Sequence, residues 1–534
     1  MNISKKSSYY LIALYLLLYF IINLNYLEIF PFIHSDEPWL SGLTRNMLET
    51  KSIFCTEAFF NLYPRYPHSI KVIFHLIQMP FILIFGYNIF SVRIISLIFS
   101  ILTLILFYRI SIIILKNYTY GLLVTILFSL NIQFIYASHF ARQEIIIVFF
   151  FMLCFSYYLS MNNNIIKSKN LCFKPHIILG ILIGISIGIH PNSFIIAIVI
   201  GLLYVADILR KQKKLNNLII LITTTGIMGL LFVLLSYIGD SNFINHYTTY
   251  GKSLGVTSSL LDKIVNLPEY YKKLYYGISG TYYIPSIKIF LIFFGIFFII
   301  SILYLFINFI SYNKYKNNIS FSQYMLLNLL ICIVGINLGF IIIGRYNQTN
   351  IIFIFPFFYL LIFLLINKIN LYYKRFAYLL IIFLIFITSY FSFKEIKPYT
   401  NYSYEKYLKE LSVIEPSAKT IGNLNMEFHF QNGSLLDYRN LSYLKENNLS
   451  FSDYILLNKI EYIIYTEELD YIHRNPIWNI LYGEDTYYED MNNFIRENCT
   501  FIYEFTNSLY GVRIPRYMFD YNWSIKIYKV NLTS

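Results

Sequence analysis

The chain has 534 residues, of which 57% are hydrophobic and only 13% are charged, with a mean hydropathy of +0.55. Soluble domains carry about 25% charged residues, so this composition excludes an ordinary soluble protein and indicates that lipid surrounds most of the chain. The formal net charge of +13 would favour nucleic-acid binding in a soluble protein. Here the basic residues follow apolar segments, as cytoplasmic loops do in membrane proteins. We therefore expect membrane lipid as a partner and no nucleic acid.

Apolar segments of membrane-spanning length recur along the first 390 residues or so. The first, residues 9–30, follows Lys5 and Lys6, which predicts a cytoplasmic N-terminus. In total about eleven spans are predicted, which makes this a multi-pass integral membrane protein of the cell membrane. The other predicted spans are residues 92–115, 120–138, 145–159, 177–188, 193–208, 218–238, 287–310, 325–343, 351–366 and 376–391.

One apolar segment, residues 70–86, does not fit this scheme. It contains Lys71, His75 and Gln78, and a helix facing lipid tolerates such side chains poorly. Counting it as a span would also invert the chain after it and place the dense basic loops outside. We therefore predict an interfacial or re-entrant helix on the outer side.

After residue 394 the composition becomes mixed polar and charged. Residues 419–423, 460–465, 500–505 and 523–530 have the pattern of strands, and residues 404–413 and 453–459 that of helices. The predicted fold is a polytopic α-helical membrane protein with a C-terminal extracytoplasmic α/β domain. The predicted domains are residues 1–393, with an external loop at 31–90, and residues 394–534. For the C-terminal domain, a packing role without chemistry is the preferred interpretation.

Polar residues that could form a site all fall on the predicted outer side. Each alone has a simpler explanation, since acidic residues cap helices, arginines extend from helix ends towards water and a histidine can serve a tight turn. Their common location is what indicates a site. These residues are Asp36, Glu37, Arg93, Arg142, Glu144, His190, Arg345 and Tyr346.

The chemistry of this set suits glycosyl transfer from a lipid phosphate. Such a transfer needs a base to take the proton of the acceptor hydroxyl and cations to hold the phosphate as it leaves. Asp36 is the predicted base, and Arg345, Arg142 or Arg93 can hold the phosphate. The phosphate–sugar linkage already carries the energy of the reaction, and no nucleotide-binding glycine motif occurs in the sequence.

These residues also resemble a known family, the GT-C glycosyltransferases. The similarity is greatest to the bacterial aminoarabinose transferases and the protein O-mannosyltransferase-like families, and it covers roughly residues 10–390. Glu144 stands where the family more commonly has Asp. The motifs are Asp36-Glu37 with Arg45 and Met47-Leu48, residues 86–93, Ala141-Arg142-Gln143-Glu144, the glycine-rich hairpin of residues 180–192, and Gly344-Arg345-Tyr346 with Pro356.

The resemblance implies an inverting transferase that uses a polyprenyl-phosphate-linked sugar, such as dolichyl phosphate mannose, on the outer face. The acceptor can be a glycan, a lipid or a protein. Family members differ over metal use, and without a clear DxD motif we expect no obligatory cofactor, although a divalent metal is possible. The predicted catalytic residues are Asp36, Glu37 and Glu144, and the predicted residues for the donor phosphate are Arg345, Arg142, Arg93, His190 and Tyr346.

Two other classes stay open. A polymerase or ligase of surface polysaccharide also has many spans and a large outer loop, but its important arginines and histidines are expected in that loop. Residues 239–286 contain one histidine and no arginine. A non-enzymatic transporter or scaffold is expected to carry polar residues at mid-membrane or an internal repeat, and the sequence shows neither.

Overall fold

The computed structural model describes residues 3–165, 173–253, 256–278, 284–315, 320–514 and 521–531. Within these ranges a large helical part precedes a small C-terminal domain with a sheet, which confirms the predicted fold class. The helices of the first part are Lys5–Tyr26 (α1), Asp36–Thr50 (α2), Val72–Phe85 (α3), Ile89–Leu115 (α4), Tyr118–Ser129 (α5), Ile132–His139 (α6), Glu144–Ile165 (α7), Lys174–Ile187 (α8), Phe194–Leu209 (α9), Leu215–Gly239 (α10), Phe243–Ser253 (α11), Leu260–Tyr276 (α12), Lys288–Tyr315 (α13), Phe321–Ile343 (α14), Phe355–Tyr372 (α15) and Lys374–Ile396 (α16).

Each predicted span has a helical counterpart, but two of them differ in form. In the described part of the chain, nine helices are long and apolar enough to cross a membrane, or ten if α5 and α6 form one span. These two helices are bent by 65° relative to each other. The bend occurs at Asn131, whose side chain accepts hydrogen bonds from the N–H groups of Gln133 and Phe134 and so starts a new helix.

The second difference is α8, which has only 14 residues. It packs in parallel along α10, because three glycines at four-residue intervals in α8 lie against side chains at four-residue intervals in α10. Small residues of this kind let two helix backbones approach closely. At the central contact, a Cβ atom added to Gly184 would lie 2.2 Å from Cβ of Met228. The contacting pairs are Gly180 with Thr224, Gly184 with Met228, and Gly188 with Phe232.

The C-terminal end of α8 contacts the start of α3. The last of these contacts joins Gly188 to Phe232, and α10 continues from there to Gly239, about 10 Å further. At the C-terminal end of α8, the N–H of Ile73, the second residue of α3, donates to the carbonyl of Gly188 over 3.0 Å. Helix α3 has 14 residues, about 21 Å, which is too short for a hydrocarbon core of about 30 Å. Its length agrees with the prediction that residues 70–86 do not cross the membrane.

The C-terminal domain contains a five-stranded mixed sheet with the order β2-β1-β3-β5-β4. Strand β1 pairs in parallel with β2 and β3, and β5 pairs antiparallel with β3 and β4. The predicted strands match four of these, whereas β2, with three residues, was not predicted. The elements are Thr420–Gly422 (β1), Leu435–Asp437 (β2), Tyr462–Thr466 (β3), Cys499–Asn507 (β4), Trp523–Val530 (β5), Tyr404–Glu410 (α17), Phe451–Leu457 (α18), Glu468–Arg474 (α19) and Tyr488–Asn498 (α20).

This domain rests on the external loop between α1 and α4. Arg45 in α2 donates to the carbonyl of Phe430 over 2.8 Å, and the side chain of Asn432 donates to that of Asn46 over 2.9 Å. The hydrophobic core of the helical part also continues into the domain through Tyr404. The external loop is thus held between the membrane helices and the C-terminal sheet.

Close packing of α8 against α10 makes Gly184 sensitive to one added methyl group. We expect Gly184→Ala to lower the melting temperature of the detergent-solubilised protein, because an added Cβ overlaps Met228 and overpacking costs about 1–3 kcal/mol. Gly226→Ala in α10 is the matched control, since a Cβ there meets no described atom within 4 Å. Equal melting temperatures for the two variants would contradict the close approach of these helices.

Candidate active site

A fully buried ion pair between Glu37 and Arg93 anchors the external loop. The guanidinium binds the carboxylate through two hydrogen bonds of 2.7 Å, and both side chains are 0% exposed. The remaining Arg93 nitrogen donates to the carbonyls of Leu27 and Pro31. The carboxylate also accepts from the backbone N–H of Ala141 over 3.0 Å. The pair therefore joins the end of α1, the start of α2, α4 and the link between α6 and α7.

This burial bears on two predicted roles. A phosphate-binding Arg93 needs N–H groups that a ligand can reach, and all of its surface lies inside the protein. A catalytic Glu37 needs an oxygen that can approach the acceptor, but each of its oxygens is held by Arg93. The geometry gives both residues a structural role, which does not support the predicted catalytic and phosphate-binding assignments.

Next to this pair, three charged residues form a row. Arg142 donates to Oδ2 of Asp36 over 2.8 Å and contacts Oε1 of Glu144 at 3.1 Å. The same Glu144 oxygen accepts from the hydroxyl of Thr349 over 2.7 Å. The side chain of Asp36 is 21% exposed, whereas those of Arg142 and Glu144 are 4% exposed. Asp36 is thus the accessible carboxylate of the three that were predicted.

The local structure explains how Asp36 is presented. It is the first residue of α2, where the helix dipole favours a carboxylate. Its backbone N–H donates to Nδ1 of His34 over 3.1 Å. Burial lowers the pKa of His34 to about 3, even though Asp36 acts in the opposite direction. The imidazole is therefore neutral at physiological pH and serves as a hydrogen-bond acceptor.

The segment after α14 connects this row to the turn that contains His190. The side chain of Asn192 contacts that of Asn350 at 3.2 Å, one residue beyond Thr349. His190 itself accepts from the N–H of Asn192 through Nδ1 over 3.0 Å. Burial, followed by the charge of Lys71, lowers the pKa of His190 well below its usual value. The ring is thus neutral, and its proton lies on Nε2.

A cavity of about 710 Å³ lies beside these residues. Its wall comes from residues 63–68 of the external loop, the turn after α8, helix α11 and the end of α14. Lys71, Lys263 and Arg345 contribute cationic side chains to it. Arg65 also lines it, but two hydrogen bonds of 2.7 and 2.9 Å pair its guanidinium with Glu57. We call this space the cationic cavity.

Arg142 of the row acts electrostatically on groups that line the cavity. Burial and, to a smaller extent, the charges of Arg345, Arg65 and Arg142 together lower the pKa of Lys71 to about 7. Arg142, which holds Asp36, is therefore close enough to act on an ammonium group inside the cavity. The cavity concentrates positive charge in a site that is partly closed to water.

Two residues of the late predicted motif have different positions. Arg345 lines the cationic cavity, in agreement with a role at a phosphate. The hydroxyl of Tyr346 donates to the backbone carbonyl of Lys263. It therefore fixes the helix that carries Lys263, and this contact does not support the predicted phosphate contact.

Lys71 and Lys263 line the cavity but were not predicted as site residues. Lys71 was used only as a sign that residues 70–86 do not cross the membrane. The predicted topology also places Lys71 on the same side of the membrane as the other site residues. Its position near them could therefore have been predicted. Lys263 belongs to residues 239–286, which were considered only for their arginine and histidine content, so a lysine there gave no signal. Among the described residues, no group of three or more His, Cys, Asp or Glu side chains could hold a metal ion.

The buried ion pair predicts an unequal effect of two glutamate substitutions in α2. We expect Glu37→Gln to lower the unfolding free energy by about 3–5 kcal/mol, because it leaves the buried Arg93 charge uncompensated. Glu49→Gln, which alters a pair whose carboxylate is 51% exposed, should change it by about 0–1 kcal/mol. Thermal unfolding of the purified variants measures both, and a Glu37→Gln protein as stable as wild type would refute the structural role.

Comparisons with known proteins agree with this picture. A family model described as dolichyl-phosphate-mannose-protein mannosyltransferase matches residues 71–248. No curated protein matches the chain significantly. Among solved structures, the crystal structure of ArnT from Cupriavidus metallidurans bound to undecaprenyl phosphate is 10% identical, with a TM-score of 0.51 and coverage of 99% of both chains.

The structural match shows a shared fold, that of a GT-C aminoarabinose transferase. The family match falls on the part of the chain that contains Lys71, Arg93, Arg142, Glu144 and His190. Together they confirm the predicted resemblance and the multi-pass membrane character. The two matches together indicate an enzyme, a membrane glycosyltransferase with the GT-C fold.

Proposed function

We propose that this protein moves a sugar from a polyprenyl phosphate to an acceptor hydroxyl on the outer face of the membrane, with inversion at the sugar. The proposal is carried by the partly exposed carboxylate of Asp36, which Arg142 holds, together with the cationic cavity, whose residues Lys71 and His190 lie within the electrostatic influence of the same Arg142. The ArnT structure that shares this fold was obtained with undecaprenyl phosphate, which supports a lipid phosphate as the ligand.

In the proposed reaction, Asp36 takes the proton of the acceptor hydroxyl. The hydroxyl oxygen bonds to the anomeric carbon as the bond from that carbon to the phosphate oxygen breaks. Direct displacement of this kind inverts the anomeric centre. The phosphate leaves with the bonding electrons, and its growing negative charge is stabilised by fixed cations.

Lys71, Lys263 and Arg345 are the proposed phosphate-binding residues, and they are joined by the neutral His190, whose Nε2–H can donate. Arg142 orients the two carboxylates of Asp36 and Glu144 rather than entering the cavity. These cations can carry the charge of the leaving phosphate, so we propose that no metal is obligatory. The acceptor class, a glycan, a lipid or a protein, is left open by this geometry.

The test is a transfer assay with purified protein and a panel of radiolabelled polyprenyl-phosphate sugars. A product that carries a single added sugar agrees with a transferase. A ladder of lengthening products would instead favour the alternative, a polymerase of surface polysaccharide. Absence of transfer with every sugar of the panel would count against the proposal.

The roles of the two carboxylates separate in kinetics. We expect Asp36→Asn to lower kcat by about 10²–10⁴-fold in folded protein, because the amide cannot take a proton. The expected result for Glu144→Gln is a smaller loss, since this side chain chiefly holds Arg142. Normal turnover in Asp36→Asn together with an inactive Glu144→Gln would reverse the assignment.

Phosphate binding predicts a different pattern for the cations. Arg345→Ala should raise the donor KM and lower kcat, because the phosphate is charged both in the bound substrate and in the transition state. Lys272→Ala is the matched control, an outer-segment cation whose side chain is 62% exposed and does not line the cavity. Equal kinetics for these two variants would remove Arg345 from the phosphate site.

The outer-face location can be tested with single cysteines in a cysteine-free variant. Lys214, at the start of α10, and Asp453, in α18, are both exposed. We expect a membrane-impermeant maleimide to label Asp453→Cys in intact cells, and Lys214→Cys only after the membrane is opened. The opposite labelling pattern would place the active site in the cytoplasm.

A further inference from the structure

A short segment of the C-terminal domain, residues 437–443, lies against the external loop that walls the cationic cavity. We call it the docking segment. It begins at the end of β2, so the sheet fixes its position. The N–H of Asp437 donates to the carbonyl of Phe59 over 3.1 Å. The C-terminal domain thereby touches the chain just before the cavity-lining residues 63–68.

The central contact of the docking segment is made by Asn440, which is completely buried. Its side-chain oxygen accepts from the backbone N–H groups of Asn61, Leu62 and Tyr63, over 3.0, 3.0 and 3.1 Å. Its amide nitrogen donates to the carbonyl of Phe59 over 2.9 Å. One side chain therefore fixes a whole turn of the external loop.

A merely space-filling contact does not require this arrangement. A buried amide costs free energy unless its hydrogen bonds are made, and three N–H groups that converge on one oxygen permit a single conformation of the loop. Removing the oxygen would leave those groups without their partner inside the protein. The contact is thus directional and specifies where the turn lies.

The held turn runs directly into the wall of the cavity. Tyr63 is both bound by Asn440 and part of the lining. Tyr443, from the docking segment itself, also lines the cavity, and its ring meets that of Tyr63 edge-on at 5.6 Å. The wall therefore includes one side chain of the C-terminal domain, that of Tyr443. The wall residues 64–68 directly follow the turn at residues 61–63, which Asn440 holds.

A second contact leads from the docking segment to the same wall. The guanidinium of Arg439 lies 4.3 Å from the ring centre of Trp39 in α2. The indole N–H of Trp39 donates to Glu57 over 2.6 Å, and Glu57 pairs with Arg65, which lines the cavity. This contact reaches the wall independently of Asn440.

We propose that Asn440 is a positioning residue for the lipid-phosphate donor: by holding residues 61–63, it sets the outer wall of the cationic cavity at the distance that the donor requires. The C-terminal domain is then a working part of the donor site and not only a cover. This inference rests on the proposed function in taking the cavity as the donor site.

The test measures binding of undecaprenyl phosphate to purified, folded full-length protein, with folding checked by size-exclusion chromatography. We expect Asn440→Ala to weaken binding about tenfold, the effect of losing hydrogen bonds that order the wall. The matched control is Asn432→Ala. It removes another contact between the C-terminal domain and the external loop, to Asn46 in α2, without touching residues 59–68, so its binding should equal that of wild type.

The kinetic parameters give a second readout that general destabilisation would not imitate. Asn440→Ala should raise the donor KM with kcat within about threefold of wild type, because Asp36 is held by the Glu37–Arg93 pair and not by this turn. A protein that is merely less stable would show less active enzyme with an unchanged KM. Trypsin should also cut after Arg65 faster in Asn440→Ala than in wild type.

Each other outcome has a defined meaning. Unchanged binding and KM in Asn440→Ala would overturn the inference, as would equal weakening in Asn432→Ala. If the wild-type protein fails to bind undecaprenyl phosphate, the proposed function falls and this inference with it. Should Asn440→Ala not fold, Asn440→Ser, which leaves a smaller void and a hydroxyl, provides the same comparison.

Discussion

The buried ion pair between Glu37 and Arg93 is the interaction on which the site depends. It joins the end of α1, the start of α2, α4 and the backbone at Ala141. Two residues of the site are chain neighbours of these points, since Asp36 precedes Glu37 and Arg142 follows Ala141. The contact between Asp36 and Arg142 is therefore a consequence of the register that the ion pair imposes. A buried pair contributes little net stability, but it strongly disfavours other arrangements in which one charge lacks its partner.

The depth of the site has a second cause, the shortness of α8. Because α8 ends beside Phe232 while α10 continues to Gly239, the turn with His190 is set back from the C-terminal end of α10. Helix α3 starts on that turn, and the residue before it, Lys71, comes to line the cavity. Helices α3 and α8, each of 14 residues, thus meet end to end at the hydrogen bond between Ile73 and Gly188. Because the turn with His190 is set back in this way, protein surrounds the cavity and its cations are partly shielded from water.

Much of the fold could be predicted from hydropathy and charge, because both act locally. A run of apolar residues ends where a span ends, and basic loops mark one side, so the positions of α4, α10 and α14 followed from the sequence. The bend at Asn131 was not predicted, because a single capping residue within a long apolar segment does not change the hydropathy of that segment. Strand β2 was missed because three residues are too few to show alternation.

The site was harder to predict, because pairing is a property of the tertiary structure. Asp36 and Glu37 are adjacent and chemically alike, and only the structure shows that Asp36 is partly exposed whereas Glu37 is fully buried against Arg93. In the same way, Arg93 lies near the start of α4 and Arg345 just after the end of α14. Arg93 is enclosed by protein, whereas Arg345 lines a cavity. The sequence indicated candidates by residue type and predicted side of the membrane, and only the packing around each one indicates what it can do.

The charges of the cavity form the last link between fold and function. Arg65 is balanced by Glu57, so this pair adds little net charge, and the carboxylate of Asp240 is occupied by a contact of 2.6 Å with His246. Lys71, Lys263 and Arg345 lie in the wall without carboxylates of their own among its lining residues. The lowered pKa of Lys71 expresses the cost of gathering these charges where water is scarce. Under the proposed function, a phosphate supplies negative charge that offsets the repulsion among these cations and favours the protonated form of Lys71 as the sugar donor binds.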